Sequence, residues 1–256
     1  MPKVSVIVTT YNRKDLLGET IQSILNQTFV DFELIIVDNY SNYNFVNYVT
    51  GFNDSRIKPF QNANNGVIAV NRNFGMRNAE GELIALCDDD DLWESNKLEK
   101  QLNLFLKNNK ITLIATASSI IGKVSNSLIQ KIRSKLLLFI LSLNLVPAKY
   151  MLLIFYYITN SSVMFKKSIT EKIGLLNESI EYIAVEDYDM WLRISRIGKI
   201  YFLNENLVKY RFHNSQVSNE TISETNKKIT RVVKHHWHEM NKLQKIIFSC
   251  KRVQWK

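Results

Sequence analysis

The sequence is poor in the residues that staple or interrupt small folds: of 256 residues, 2 are cysteine, 3 proline and 8 glycine. Two thiols, Cys87 and Cys250, cannot build a disulfide framework or a four-ligand zinc site, so a reducing compartment is expected. Scarce glycine and proline exclude collagen-like and low-complexity chains. With 46% hydrophobic and 22% charged residues, the chain is not disordered either. A long apolar start is also missing. After Met1-Pro2-Lys3 the run Val4–Val8 turns polar at Thr9, too short for a signal peptide, and a cytosolic protein is expected. The length suits one large α/β domain, alone or with an appendage.

Acidic residues are missing locally. The formal net charge is +9, but residues 120–158 hold five basic and no acidic side chains, and residues 227–256 hold nine basic and one acidic. The remainder sums to −4. A uniformly basic chain would suggest nucleic acid as a partner. A mildly acidic body with two cationic attachments does not, and no nucleic acid is expected.

Buried strands are expected at Val4–Val8, Phe32–Val37, Ile57–Gln61 and Leu83–Cys87, each short, apolar and rich in β-branched residues. Between them, helices are expected from Asp15 to about Asn26, from Gly66 to Ala79 and from Asn96 to Asn108, with apolar residues at helical spacing. This alternation predicts a doubly wound, mostly parallel α/β sheet. Ligands of such sheets bind beyond the carboxyl ends of the strands. There stand Thr9-Thr10-Tyr11, Asp38 and the run Asp88-Asp89-Asp90-Asp91.

Four adjacent aspartates repel one another. A helix N-terminus would account for some of that charge, for Asp91 in particular. A hard divalent cation, Mg²⁺ or Mn²⁺, accounts for more, because such ions take one or two carboxylates plus substrate phosphates. Asp88 and Asp90 would face the same way on an extended backbone. Arg72, in the stretch Asn65-Gly66 to Arg72-Asn73, is suited to a diphosphate or to a structural carboxylate.

Together, Val4-Ser5-Val6-Ile7-Val8-Thr9-Thr10-Tyr11-Asn12-Arg13, Ile36-Val37-Asp38, Asn65-Gly66 with Arg72-Asn73, Ala79-Glu80-Gly81 and Asp88–Asp91-Leu92-Trp93 carry a family resemblance. In order and spacing the chain resembles family 2 of the inverting, nucleotide-sugar-dependent glycosyltransferases with the GT-A fold, over roughly residues 3–215. The resemblance implies a nucleoside pocket lined by Thr9, Tyr11 and Arg13, with Asp38 holding the base. It also implies an Asp-x-Asp metal motif of Asp88 and Asp90, with Asp89 close to the ribose and metal. The chemistry is consistent, since a metal-bound diphosphate leaves without the protonating acid that glycoside hydrolases need.

Glu186-Asp187-Tyr188-Asp189 opens a predicted helix with Trp191, Ile194 and Ile197 inward. The resemblance places the general base at Asp187, with Asp189 and Glu186 as rivals. It also implies that His213, after a strand at Leu207–Tyr210, approaches the diphosphate and could ligate the metal through a neutral imidazole. His235, His236 and His238 read as incidental, and Cys87 as packing.

The expected domains are residues 1–218, including an apolar, basic, helical insertion at 120–158, and a basic amphipathic tail at 219–256. Leu136–Val146 and Tyr150–Ile158 are each about half of a membrane span. A single crossing would also part Asp187 from Asp88. An interfacial hairpin and extra helices over the core are the two alternatives. Peripheral attachment to the anionic inner face of the cell membrane follows from the first.

The expected function is transfer from a nucleotide-diphosphate sugar, such as a UDP-sugar, to a hydroxyl of a lipid-linked saccharide in capsule or lipopolysaccharide synthesis. Self-association is compatible with this. Transfer to polyprenyl phosphate is the neighbouring alternative and would need no base. A phosphohydrolase would place a nucleophilic Asp where Thr9-Thr10-Tyr11 stands, and a nucleotidyltransferase would need a glycine-rich loop there. A non-catalytic nucleotide-sugar-binding protein would have little use for both acidic groups.

Overall fold

In the computed structural model, which describes residues 1–122, 138–212 and 222–254, the apolar run at Val4 becomes strand β1 (Val4–Thr10). Beside it lie β2 (Phe32–Asp38), β3 (Ile57–Gln61), β4 (Leu83–Asp88), β5 (Leu92–Trp93), β6 (Ile111–Ile121), β7 (Met164–Lys166) and β8 (Lys199–Arg211). The sheet order is β3-β2-β1-β4-β7-β6-β8-β5. The first four strands run parallel, β7 is antiparallel to both β4 and β6, β6 and β8 are parallel, and β5 reverses along β8.

Both sheet faces are covered, which is why the strands read as unbroken apolar runs. On β1, Val4, Val6 and Val8 enter one core with Leu17, Ile21 and Ile24 of α1 (Lys14–Leu25) and Leu98 of α4 (Lys97–Lys107). The same core takes Phe45 and Val49 from α2 (Phe45–Thr50). Ile7 points the other way, to a core shared with Met76 of α3 (Ile68–Asn78) and with α5 (Ala148–Ile154), α6 (Ile169–Ile173) and α7 (Glu186–Ile197).

Residues near the C-terminus join this second core. Ile229, Val232 and Val233 of α8 (Ile222–His235) and Phe248 of α9 (Lys242–Gln254) are buried in it, as are Met151, Leu152 and Leu153 of α5. Both cationic segments therefore contribute apolar side chains to the body. Among the described residues, no helix is long and apolar enough to cross a membrane.

Several local expectations are corrected. The helix placed at Gly66 begins at Ile68, because Asn65 and Gly66 take positive φ values of 49° and 82° that a right-handed helix does not accommodate. Ile197 is 55% exposed rather than inward. The strand at Leu207–Tyr210 is the end of the longer β8. Asp91 caps no helix: it sits in the β4–β5 turn, and α4 starts only at Lys97. Gly81 is a packing requirement, since a Cβ there would lie 2.6 Å from the backbone nitrogen of Ser5.

Candidate active site

The carboxyl ends of β1 and β4 and the start of α7 converge on a cavity of about 320 Å³. Thr9, Arg13, Arg72, Asp88, Asp89, Asp90 and Asp187 all line it. These seven include most of the sequence-predicted site.

Tyr11 and Asp38 are at the same sheet edge but outside the cavity wall. Tyr11 is exposed, while the fully buried Asp38 accepts hydrogen bonds from Ser41 Nα (2.9 Å), Ser41 Oγ (2.5 Å) and Gln61 Nε2 (3.1 Å). Its carboxylate orders the β2–α2 loop, which Asn12 Nα joins by donating to Ser41 Oγ at 2.7 Å. His213 lies outside the described residues.

β4 ends at Asp88, so Asp88 and Asp90 converge through a turn rather than along an extended strand. Asp88, Asp89 and Asp90 each have an arginine partner. Arg72 Nη2 donates to Asp88 Oδ1 at 2.6 Å, and Asn160 Nδ2 adds a second bond to that oxygen at 2.8 Å. Arg13 Nη1 reaches Asp89 Oδ1 (3.0 Å) and Asp90 Oδ2 (2.9 Å), and Thr10 Oγ1 donates to Asp89 Oδ2 at 2.7 Å. Burial nevertheless pushes Asp89 up to about 6, against Arg13 and Thr10. Burial, with Asp88 adding to it, pushes Asp91 up to about 8. Asp91 accepts from Arg211 Nα at 3.0 Å through Oδ1, and its buried Oδ2 has no hydrogen-bond partner among the described residues.

Arg72 connects the two acidic groups. Its Nη1 pairs with Glu186 while Nη2 holds Asp88. Burial works against the Arg72 charge, but Asp88, Glu186 and Asp187 outweigh it and raise its pKa above the ordinary value. Glu186 is thereby engaged as a counter-ion.

Asp189 is no rival base: it does not line the cavity and is held by Arg193 Nη2 (2.8 Å) and His236 Nε2 (2.6 Å). His236 is therefore buried and structural, a correction to its incidental reading. Asp187 faces the cavity. Burial, reinforced by Glu186, pushes it up to about 7, against the hydrogen bonds that favour its charge. A carboxylate so raised can accept a proton near neutral pH.

Sequence reasoning missed Tyr156, Asn160, Ser161 and Arg211. Tyr156 Oη donates toward both Asp187 oxygens, at 2.6 and 2.8 Å. Ser161 Oγ accepts from Asp88 Nα at 3.0 Å. The visible hint was the polar triplet Asn160-Ser161-Ser162 after an apolar aromatic run.

The donor set fits a hard divalent ion of the kind held by two carboxylates and completed by substrate oxygens. Asp88 and Asp90 line the cavity, and Asp88 is 28% exposed to it. No cluster of three or more His, Cys, Asp or Glu side chains that could hold a metal exists among the described residues.

A sheet of this order with its acidic cluster beyond β4 is the GT-A-like layout of a glycosyltransferase. A family model described as glycosyl transferase family 2 matches residues 5–174, and the chain belongs to that family. It is 31% identical over 225 residues to an uncharacterised glycosyltransferase of Rickettsia typhi, covering 87% of this chain and 68% of that one. It spans only 40% of a longer Rickettsia felis relative. It is also 31% identical to WfgD of Escherichia coli, named as a UDP-Glc:α-D-GlcNAc-diphosphoundecaprenol β-1,3-glucosyltransferase, over 86% of this chain and 81% of WfgD. Among solved structures, S. aureus TarS 1–349 in complex with UDP-GlcNAc superposes with a TM-score of 0.70 at 16% identity. That match covers 96% of this chain and 70% of TarS 1–349, and it shows the fold.

Proposed function

We propose that the protein transfers a sugar from a nucleoside-diphosphate sugar, most simply a UDP-sugar, to a hydroxyl of a lipid-linked saccharide, inverting the anomeric centre. One observation carries this reading: a single cavity is walled both by Asp88 and Asp90 and by Asp187, with Arg72 bonded to Asp88 and to the residue beside the base. The identity with WfgD supports the donor and the lipid-diphosphate acceptor. A cell-surface polysaccharide pathway follows from an acceptor of that kind.

Asp88 and Asp90 would hold Mn²⁺ or Mg²⁺. That ion would supply positive charge for the departing diphosphate. Arg13 and Arg72 carry further positive charge in the same wall and position the diphosphate, and Thr9 adds a hydroxyl. Thr9 Oγ1 is buried and has no hydrogen-bond partner among the described residues. Asp187 takes the proton of the acceptor hydroxyl as its oxygen bonds to the anomeric carbon. On the opposite face, the bond from that carbon to the diphosphate breaks and the electron pair leaves with it. Two carboxyl groups in acid and base roles, as in glycoside hydrolysis, are not required.

A donor screen with a lipid-diphosphate-linked GlcNAc acceptor, reading nucleoside diphosphate release with Mn²⁺ or Mg²⁺, tests the reading. Turnover of at least one nucleotide sugar, lost in Asp90→Ala and in chelator, is expected. No turnover of any donor, or an Asp90→Ala protein equal to wild type, refutes it.

A further inference from the structure

Apolar side chains stand in solvent just before α5, on the end of a helical stretch at 138–142 and on the braced turn that follows it. Asn144 fixes that turn to β8, its Nδ2 donating to Phe202 O (3.0 Å) and its Oδ1 accepting from Phe202 Nα (2.8 Å). Leu141 beneath it is buried. Yet Phe139, Leu143, Leu145 and Val146 are exposed, Leu145 by 78%. A braced backbone that keeps four large apolar groups in water is a surface suited to a partner.

α9 adjoins this turn through α5, although nearly a hundred residues separate them. Gln244 Nε2 donates to Lys149 O at 3.3 Å, and Asn241 Nδ2 to Tyr150 Oη at 3.4 Å. α9 adds exposed Leu243 and Ile246 beside Lys242 and Lys245. Neither 138–158 nor 240–249 contains one acidic residue. The described parts of the two cationic segments, 138–158 and 227–254, thus meet in space.

The surface also leads to the site. Directly after α5 come the part-exposed Phe155 and Tyr156, and Tyr156 lines the cavity and bonds Asp187.

We propose that the segment 139–146, a helix end and the turn after it, and the exposed face of α9 form one docking surface for an anionic lipid bilayer, which brings the cavity mouth at Tyr156 to a membrane-held acceptor. Leucine and aromatic groups among lysines, without acidic residues, match the headgroup–acyl boundary of a negatively charged leaflet. A second copy of the chain is the poorer occupant, because pairing this face with itself would oppose lysine to lysine. The acceptor clause rests on the function proposed above; the bilayer contact does not.

Flotation of the full chain with phosphatidylcholine vesicles, with and without phosphatidylglycerol, tests this. The variants are Leu143→Ser/Leu145→Ser and Lys242→Gln/Lys245→Gln, with thermal melts to verify folding and a water-soluble saccharide acceptor to monitor transfer. Wild type should float only with phosphatidylglycerol, and each folded double variant should bind about tenfold or more weakly while transfer to the soluble acceptor is unchanged. Absence of flotation, variants that float like wild type, or variants that only change the oligomeric state on gel filtration overturn the surface. A protein that floats but transfers no sugar supports the surface and overturns the proposed function.

Discussion

The hydroxyl of Tyr156 lies 2.6 Å from one carboxylate oxygen of Asp187 and 2.8 Å from the other, so a residue of the cationic, apolar insertion faces both oxygens of the candidate base. A phenol has one proton to share between them, and sharing it favours the charged carboxylate. Burial, with Glu186 adding to it, acts in the opposite sense and brings Asp187 to about 7.

Asp187 must be ionised to accept a proton, so kcat/KM should rise with pH and level off above about 7. Tyr156→Phe removes the bond that favours the anion, so the acid limb should move up by about one unit, costing about tenfold at pH 6 and little at pH 9. Asp187→Asn should lose about 10²- to 10⁴-fold on the plateau above pH 7, with the deficit shrinking below it as the wild-type base is protonated. An unmoved limb in Tyr156→Phe would show that the hydroxyl plays no part in setting the base.

Arg72 is the joint between the acidic groups, bonded to Asp88 and to Glu186, and its side chain is only 7% exposed. Arg72→Met would leave two carboxylates near the cavity without their cation, which should cost about 3–5 kcal/mol of stability. Protonation relieves such repulsion, so the melting deficit should be larger at pH 8 than at pH 5. A deficit independent of pH would mean that lost packing, not lost charge, is responsible.

Legibility followed the range of the interactions involved. β1, β2 and β4 declared themselves because strands buried on both faces must be apolar throughout. β7 is only three residues long, and the first half of β8 mixes Lys199, Tyr201, Asn204 and Glu205 with its apolar residues, so neither had a pattern to find. The aspartate run and Asp187 were visible as local acidic motifs. Tyr156, Asn160 and His236 were not, because each matters through one side-chain contact made 31 to 72 residues away. Local spacing carries no record of such contacts.

Lys97 was equally invisible, being one lysine near the start of the helix expected from Asn96 to Asn108. It is fully buried, with Nζ 3.8 Å from the Trp93 ring centroid and 2.8 Å from Gln101 Oε1. Burial pushes it down to about 7. The unfolded chain keeps its proton up to about pH 10.4. The cost of burying this one group is therefore absent above that pH and grows as pH drops toward 7. Lys97→Met keeps the stem and removes the charge, and should stabilise by about 1–3 kcal/mol near pH 6, with the gain shrinking toward pH 10. A melting curve series over that range checks the sign.

Truncating the tail would remove more than a surface. His236 Nε2 contacts Asp189 Oδ1 at 2.6 Å, both side chains are nearly inaccessible, and Asp189 lies two residues after Asp187 on α7. Burial raises the Asp189 pKa, but the bonds from His236 and Arg193 outweigh it and hold the carboxyl below its ordinary value. A lowered carboxyl pKa adds stability that is complete above the unfolded value, about 3.9, and is lost as pH falls through the folded one. His236→Ala should therefore cost about 2–3 kcal/mol at pH 7, some 4–12 °C in melting temperature for a chain of this size, with the gap narrowing below about pH 4. His236→Asn, which keeps a donor, should recover part of it. Deleting residues 227–256 also strips Ile229, Val232, Val233 and Phe248 from the core and should leave a protein that melts far lower or does not fold. A truncated chain that melts like wild type would mean that the tail helices rest on the body without stabilising it.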